Sequence, residues 1–431
     1  MPLLHIVHCI DTEGPLDESL KDTFKRIKKI YKINVKPSKK NLDLIQNKKI
    51  NLGKDTDAIA KMVSPEMLNY NRSWKEIGKM LRKISSFKFR NQVQDSFKKG
   101  WKYSWHCVDH YLTKNPRKKD LGYGKIFKFY KNFIKKNNLQ DELNWHFHTN
   151  SINGNPLAAS TSYNNSMNLL TYIICRRIID DKWFPVVNRP GFHSIRPDSH
   201  LFLEQWIPFD YSNQSHNKKH NQRDLSFNRF GDWSRAPKTW AGYHPDIKDY
   251  QKKGACNRII FRCLNLGTRF RNLDERDIES AFLEAKKKGK AILAIATHDF
   301  RDFSNELEDL KNKINKIKKK FNNVKIRYSG AEEAAKSLYS KNNNKIKFNV
   351  KIRDNRVIIN LTSGQIFGYQ PFLAIKDKKG KYHHDNLDVI KPGKVWSYFL
   401  DEQTIEKSDV SKIGLGSAGL YGGYFVKTIK L

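Results

Sequence analysis

Short apolar runs alternate with amphipathic segments over residues 1–340, and this alternation limits the possible folds more than any other feature of the sequence. Runs such as LLHIVHCI (3–10) and AILAIATH (291–298) are typical of buried strands. Segments such as GKIFKFYKNFIKK (124–136) have the apolar spacing of a helix. Strands that alternate with helices of this length predict a parallel sheet with helical cover, either open or closed into a barrel.

Polar residues with catalytic or metal-binding potential come at or just after the ends of these predicted strands. In parallel α/β folds the carboxyl ends of the strands meet at one face, where ligands bind. The sequence therefore predicts one site at that face, made from seven residues: Asp11, Glu13, His146, His148, Arg189, Asp210 and His298.

Two of the predicted strand ends have a spacing that suits a metal ion. Side chains two apart on a strand face the same side, as do Asp11 with Glu13 and His146 with His148. Two imidazoles and a carboxylate form a facial set for zinc or a similar divalent ion. The alternatives are a capped turn with two acidic residues and a pair of hydrogen-bonded histidines. Both motifs lie at predicted strand ends, however, and this coincidence favours the metal.

The run AILAIA delivers Thr297, His298 and Asp299 to the edge of the predicted site. A third histidine at this position suits a general acid near neutral pH. The alternative is a strand-end histidine that hydrogen-bonds a loop carbonyl.

Two regions of the sequence do not show the alternation of strands and helices. Residues 16–99 are mostly polar with helical spacing, which predicts a helical insertion in the domain of residues 1–340. From residue 344 to residue 431, strand-like runs such as KIKFNVKIR are separated by Gly, Asn and Lys turns. This predicts a small β-sandwich-like domain at the carboxyl terminus.

Composition excludes several classes of protein. The five cysteines contain no CxxC pair, which argues against a disulfide framework and a thiolate zinc site. The formal charge of +37 is spread through nearly every segment, so no specific nucleic-acid interface is expected. We find no export signal and no run of ~20 apolar residues that would cross a bilayer, so we expect a cytoplasmic protein without a transmembrane segment.

The order of the motifs resembles the polysaccharide deacetylase family (carbohydrate esterase 4-like). The chain has D-x-E-G at 11–14, the histidine pair at 146–148, R-x-G at 189–191 followed by D-Y-S at 210–212, and an apolar strand that ends in T-H at 297–298. The resemblance covers roughly residues 3–340. It implies a distorted (β/α)7 barrel, with the β domain appended.

The resemblance also implies the metal site. Glu13 would be the metal carboxylate, and His146 and His148 would complete the site around one divalent ion, zinc or alternatively cobalt or iron. The family's usual histidine spacing is H-x-x-x-H, but position 152 is Ile, so the second ligand must be His146 or a residue from elsewhere. Asp109 is the first alternative.

Two further histidines, His193 and His110, are weaker candidates for that ligand. The remaining roles come from the same likeness. Asp11 would be the catalytic base and His298 would protonate the leaving amine. Arg189 would contact and tune the base. Asp210 would support that arginine or the acid.

Three aromatic residues near the predicted loops could stack on a sugar face: Trp233, Trp240 and Phe192. Together, these features predict a metal-dependent hydrolase that removes acetyl from an N-acetylated sugar of a surface polysaccharide or its precursor. Hydrolysis of another C–N or ester bond is one alternative. The other is a catalytically inactive carbohydrate-binding or scaffold protein on the same fold. The oligomeric state is not predicted.

Overall fold

The computed structural model describes residues 1–109, 117–118, 122–149, 162–217, 230–340 and 345–431. The first part of the chain forms a closed barrel of seven parallel strands surrounded by helices, and the last part forms two antiparallel sheets. The predicted architecture, a barrel followed by a β domain, is confirmed at this level. The predicted boundary between the two falls at residues 341–344, which lie outside the described residues.

The sheet of the barrel has eight strands in the described part of the chain: β1 (Leu3–Thr12), β2 (Ser104–Cys107), β3 (Glu142–Phe147), β4 (Val187–Pro190), β5 (Phe209–Asn213), β6 (Ile259–Asn265), β7 (Lys290–His298) and β8 (Lys325–Ser329). β1 and β7 are buried along almost their whole length, as their continuous apolar runs predict. β4 begins later than the predicted strand WFPVV. Pro185 has no N–H to donate to a ladder, so the pairing starts after it and includes Arg189.

Two strands share one edge of β1, and this arrangement closes the barrel near the predicted site. Residues 3–7 of β1 pair with β8, whereas residues 9–12 pair with β2. The other edge of β1 pairs with β7 from Leu3 to Asp11. The ring of strands β1 to β7 is therefore closed by the pairing of β2 with the carboxyl-terminal half of β1. At the opposite end of β1, β8 lies between β1 and β2.

The chain between β1 and β2 forms six helices: α1 (Leu20–Tyr31), α2 (Lys39–Gln46), α3 (Thr56–Met62), α4 (Pro65–Leu68), α5 (Trp74–Ser85) and α6 (Phe87–Asn91). They lie within the helical insertion predicted at 16–99. α5 begins with a capping box between Ser73 and Glu76. Apolar residues of α1 to α3, among them Phe24, Ile45 and Ile59, form a small core of their own, distinct from that of the barrel.

Six further helices follow β2 in the described residues: α7 (Lys125–Lys136), α8 (Met167–Ile179), α9 (Pro197–Trp206), α10 (Glu275–Lys288), α11 (Ser304–Lys318) and α12 (Ala331–Tyr339). α10 confirms the helix predicted from about Leu273 to Lys288. Its amino terminus is capped by Asp274, and the chain leaves it at Gly289 with a φ of 83°. None of the helices described here is long and apolar enough to span a membrane.

The carboxyl-terminal domain contains eight strands: β9 (Lys347–Arg353), β10 (Arg356–Ser363), β11 (Phe372–Asp377), β12 (Tyr382–Asp385), β13 (Asp388–Lys391), β14 (Val395–Phe399), β15 (Val410–Ala418) and β16 (Tyr424–Lys430). They form two four-stranded sheets, ordered β13-β14-β10-β9 and β12-β11-β15-β16. Phe348 and Val350 face the shared core, as the alternation in KIKFNVKIR predicts.

The β domain packs on the barrel through α8. Gly414 and Gly416 of β15 lie so close to that helix that a Cβ at Gly414 would be 2.7 Å from Ile178, and a Cβ at Gly416 would be 2.8 Å from Ile178 and 2.5 Å from Phe184, which follows the helix. Only glycine fits at these two positions without a shift of the neighbouring side chains. The contact fixes the β domain to a helix on the outside of the barrel.

Candidate metal centre

Glu13, His146 and His148 converge at the carboxyl end of the barrel. The last residues of β1 and β3 deliver them, because Glu13 directly follows β1 and His148 directly follows β3. The two histidine Nε2 atoms are 3.0 Å apart. Glu13 Oε1 is 3.4 Å from the Nε2 of His148 and 4.0 Å from that of His146. These ligand atoms all lie within 4.8 Å of one another, so the group could hold a metal ion.

The spacing of the three ligand atoms fits a divalent transition metal. Ligand atoms about 2.0–2.2 Å from a tetrahedral zinc ion are about 3.3–3.6 Å from each other. The three measured separations, from 3.0 to 4.0 Å, lie around these values. Three protein ligands leave at least one position for water or substrate, which is the pattern of catalytic rather than structural sites.

The protonation state of His146 supports metal binding. Its Nδ1 is 2.5 Å from the carbonyl oxygen of Arg189, and a carbonyl can only accept, so Nδ1 carries the proton. The lone pair on Nε2 is then directed at His148 and Glu13. Burial lowers the pKa of His146 to about 3, which keeps the ring neutral. Metal-binding histidines commonly donate their second ring N–H to a carbonyl in this way.

Glu13 shares its two oxygens between the histidines and a lysine. Its Oε2 lies 3.2 Å from the Nζ of Lys118, which also donates to the carbonyl of Gly14. Burial by itself would raise the pKa of Glu13, but Lys118 and His148 together hold it well below its usual value. Glu13 is therefore ionised and offers a single oxygen, Oε1, to an ion in the centre.

Asp11 lies beside this group and is bound by Arg189. Nε of Arg189 donates to Asp11 Oδ1 at 2.6 Å, and both side chains are buried. The other guanidinium nitrogens contact the carbonyl of Tyr211 at 2.9 Å and Nδ1 of His193 at 3.0 Å. Burial raises the pKa of Asp11, and the guanidinium opposes that rise. The geometry agrees with the predicted contact between Arg189 and Asp11.

His298, at the end of β7, completes the group. Its Nε2 is 3.6 Å from Asp11 Oδ2 and 4.0 Å from Glu13 Oε1. Burial lowers its pKa to about 4, so the ring is neutral at pH 7. The side chain keeps 23% of its surface exposed, against 2% for Asp11, and thus forms part of the opening of the centre.

A turn after β4 supplies the aromatic wall of the centre. The ring of Phe192 lies edge-on to His148, with 5.2 Å between centroids, and edge-on to Phe230 at 5.4 Å. Phe192 and His193 have φ values of 53° and 52°, in the left-handed region that non-glycine residues rarely adopt. Of the three aromatic residues predicted to meet a sugar, Phe192 is the one placed beside His148.

The alternative metal ligands are placed elsewhere. The carboxylate of Asp109 is buried, and its oxygens accept from Arg177 at 2.7 Å and from the backbone N–H of Gly124 at 2.7 Å. The prediction of Asp109 as a ligand is wrong, because both oxygens are directed at these donors. His193 contacts Arg189 through Nδ1 and is not in the ligand group. His110 lies outside the described residues.

Asp210 does not support Arg189 directly, in contrast to the prediction. It forms a buried ion pair with Arg258 and accepts a hydrogen bond of 3.1 Å from Asn188. It alternates with Tyr211 on β5, and the carbonyl of Tyr211 rather than the carboxylate of Asp210 contacts the arginine. The carboxylate of Asp210 is taken up by Arg258 and Asn188, so the predicted contact with Arg189 is not made, and the alternative, support of the acid, stays a prediction.

Trp233 and Trp240 are core residues, so the prediction that they stack on a sugar is wrong. Both are 1% exposed. The indole N–H of Trp233 donates to the carbonyl of His193 at 2.8 Å and so supports the turn that carries Phe192. The indole N–H of Trp240 donates to Ser280 on α10. Large aromatic residues in a Gly- and Pro-containing segment do not by themselves indicate exposure.

Sequence reasoning missed Lys118 and gave no role to Asp299, although Asp299 directly follows His298. No pattern marks Lys118, which lies in a lysine-rich turn where each lysine could equally face solvent. The buried acid in T-H-D was the available signal for Asp299, since an acidic residue at the end of a buried strand needs partners.

Comparisons with protein-family models, with curated proteins and with solved structures found no match to this chain. The relation to the polysaccharide deacetylase family therefore stays a prediction from the order of the motifs. A function has to be argued from the arrangement of the residues themselves.

Proposed function

We propose that this chain is a metal-dependent hydrolase that removes acetyl from an N-acetylated sugar. The observation that carries the proposal is the convergence of Glu13, His146 and His148 at the open end of a parallel barrel, with Asp11 and His298 beside them. A ligand set, a carboxylate and a third histidine at one place are the groups that hydrolysis of an amide needs.

Glu13 and the two histidines would hold one divalent ion, zinc or alternatively cobalt or iron. When bound, such an ion lowers the pKa of a water ligand and polarises an amide carbonyl. The chain itself prepares the ligands: the carbonyl of Arg189 fixes the tautomer of His146, and Lys118 keeps Glu13 ionised.

Asp11 would act as the base. Arg189 occupies Oδ1, so Oδ2 is the oxygen that accepts the proton of the attacking water. The guanidinium contacts hold the carboxylate in one orientation and favour its charged form before the reaction. Burial disfavours the negative charge and raises the pKa of Asp11. Uptake of a proton by the carboxylate is therefore favourable, which is the property of an effective base.

His298 would pass the proton to the leaving nitrogen. The ring is neutral at the start, since burial lowers its pKa to about 4. It must therefore receive the proton within the same turnover, and Asp11 Oδ2, 3.6 Å from its Nε2, is the nearest donor once protonated. A histidine with so low a pKa is a strong acid once protonated and gives the proton up readily.

The proposed substrate is the acetylated sugar of a surface polysaccharide or its precursor. The half-buried ring of Phe192 beside His148 offers an apolar plane for the C–H face of a sugar. The motif order that resembles polysaccharide deacetylases supports the acetamido group as the bond that is cleaved.

Release of acetate from N-acetylated amino sugars tests the proposal. The metal-supplemented wild type should release acetate, and Asp11→Asn should lower the rate by about 10²–10⁴-fold, because it removes the base. Asp109→Asn is the matched control, since Asp109 is also a buried, arginine-paired carboxylate at a strand end. It should retain the rate. Sugar binding without acetate release, in wild type with metal bound, would instead favour the inactive carbohydrate-binding protein.

A further inference from the structure

Asp299 holds the turn that carries Glu13. One oxygen of its carboxylate accepts the backbone N–H of Glu13 at 2.8 Å. The other accepts the backbone N–H of Gly14 at 3.1 Å and the hydroxyl of Tyr130, on α7, at 2.8 Å. Asp299 is 0% exposed, so no water replaces these partners. Three donors on one buried carboxylate form a fixed cradle.

The backbone of Asp299 is fixed as well. Its N–H donates to the carbonyl of Asp11 at 3.2 Å, which extends the pairing of β7 with β1 beyond His298. Its carbonyl accepts the side-chain amide of Asn71 at 2.8 Å, and the N–H of Leu16 donates to the carbonyl of Asn71. Asp299 therefore links the end of β7, the turn after β1 and the helical insertion.

We propose that Asp299, assisted by Tyr130, is a positioning residue that sets the direction of Glu13 toward the two histidine ligands. This inference rests on the proposed function of the centre as a metal site. Glu13 lies just beyond the last residue of β1, so its own position is not fixed by the barrel ladder. Lys118 holds Oε2 and the carbonyl of Glu13, and the carboxylate of Asp299 restrains its backbone N–H.

The chemistry of the cradle explains why a carboxylate is needed. Two backbone N–H groups converge on Asp299, and a buried N–H without an acceptor is strongly unfavourable. Asparagine in its place would offer one oxygen and one NH2 group, and the NH2 group would face a donor. The turn would rotate to avoid that contact and would carry Oε1 of Glu13 away from the histidine Nε2 atoms.

Binding of Co²⁺ to the full-length protein, followed by its visible absorption, tests this role apart from activity. We expect Asp299→Asn to weaken Co²⁺ affinity about 10–100-fold, which is typical when a partner of a metal ligand is removed. We also expect its absorption bands to shift, because the ligand geometry changes. Tyr130→Phe deletes a single hydrogen bond of the cradle and should shift the same bands, with a smaller loss of affinity.

Asp95→Asn is the matched control. Asp95 is a buried carboxylate that accepts the backbone N–H groups of Phe97, Lys99 and Tyr328, remote from the ligand group. It should lower the stability of the protein without changing the Co²⁺ spectrum. Equal changes in Asp95→Asn and Asp299→Asn would show a general loss of stability and would overturn the positioning role.

The outcomes separate the two proposals. A wild type that binds no Co²⁺ would remove the metal centre itself. A wild type that binds Co²⁺, with the same affinity and spectrum in Asp299→Asn, would remove only the role of Asp299. If Asp299→Asn does not fold, Tyr130→Phe decides, and a spectrum identical to that of the wild type would overturn the inference.

Discussion

Arg189 determines how Asp11 is held in the barrel. Its guanidinium makes three contacts, to Asp11, to the carbonyl of Tyr211 and to His193, and it is fully buried. A buried carboxylate without a cation would be neutral and loosely held. The arginine is thus a structural requirement of the buried Asp11 carboxylate.

Replacing this arginine should therefore be severe. We expect Arg189→Met to lower the free energy of unfolding by about 3–5 kcal/mol, because it leaves the carboxylate of Asp11 buried and unpaired. Denaturant unfolding measures the change. The double variant Asp11→Asn with Arg189→Met should recover part of the loss. A loss under 1 kcal/mol (well below the range expected for a buried pair) would contradict the pairing.

Gly191 keeps the space that His148 occupies. A Cβ at this position would be 2.5 Å from the ring of His148, and the backbone φ of Gly191 is not in the left-handed region. We expect Gly191→Ala to displace His148 and to weaken metal binding at least about tenfold. Gly122→Ala, where a Cβ would meet nothing within 4 Å, is the control and should bind as the wild type does. Unchanged binding in Gly191→Ala would argue against His148 as a ligand.

At the scale of the elements, two glycines should respond to alanine in opposite directions. Gly78 lies inside α5, where a Cβ would meet only the end of Arg82 at 3.5 Å, so Gly78→Ala should stabilise the protein by about 0.4–1 kcal/mol. Gly416→Ala should destabilise it by about 1–3 kcal/mol, because the new methyl overlaps Phe184. Denaturant midpoints measure both. Stabilisation by Gly416→Ala would contradict the close packing of the β domain on α8.

The elements themselves were largely predictable. The continuous apolar run of β7 and the capped pattern of α10 identify them without tertiary context, since both are long and regular. The closure of the barrel was not predictable. It depends on β8 and β2 sharing one edge of β1, which is a choice of strand partners that no local pattern encodes.

At the scale of the whole molecule, buried histidines make stability depend on pH. His5 and His8 lie in β1, and burial lowers their pKa values to about 4 and about 3 from 6.5 in an unfolded chain. Between pH 6.5 and pH 4 these two histidines bind more protons in the unfolded chain than in the folded one, so their contribution to the free energy of unfolding falls as the pH falls. Once the pH is below the folded-state value, His5 accounts for up to about 3 kcal/mol and His8 for up to about 5 kcal/mol.

Urea unfolding of the metal-free protein at pH 7.5 and pH 5 measures this dependence. We expect a lower midpoint at pH 5 and a smaller difference in His8→Gln, whose amide can keep the contacts to Trp101 and Thr297 without taking up a proton. The same difference between the two pH values in wild type and in His8→Gln would contradict a neutral buried His8.

The site residues that lie at strand ends were predictable from the sequence. The residues that contact and hold them were not. The period of two along β1 and β3 is enough to bring Asp11, Glu13 and the histidine pair to one face. Lys118 and Asp299 reach Glu13 through loops, whose course depends on the assembled barrel. The same reason explains the wrong prediction of Asp109 as a ligand. Its partner Arg177 lies on α8, and this contact depends on the assembled barrel.

Metal content of the purified protein tests the central claim most directly. After incubation with zinc, cobalt or iron and removal of excess ion, the wild type should hold about one ion per chain. The double variant His146→Ala with His148→Ala should hold none, whereas His383→Ala with His384→Ala, a histidine pair in the β domain, should keep it. A wild type without stoichiometric metal, or a site variant that retains it, would contradict the metal centre formed by Glu13, His146 and His148.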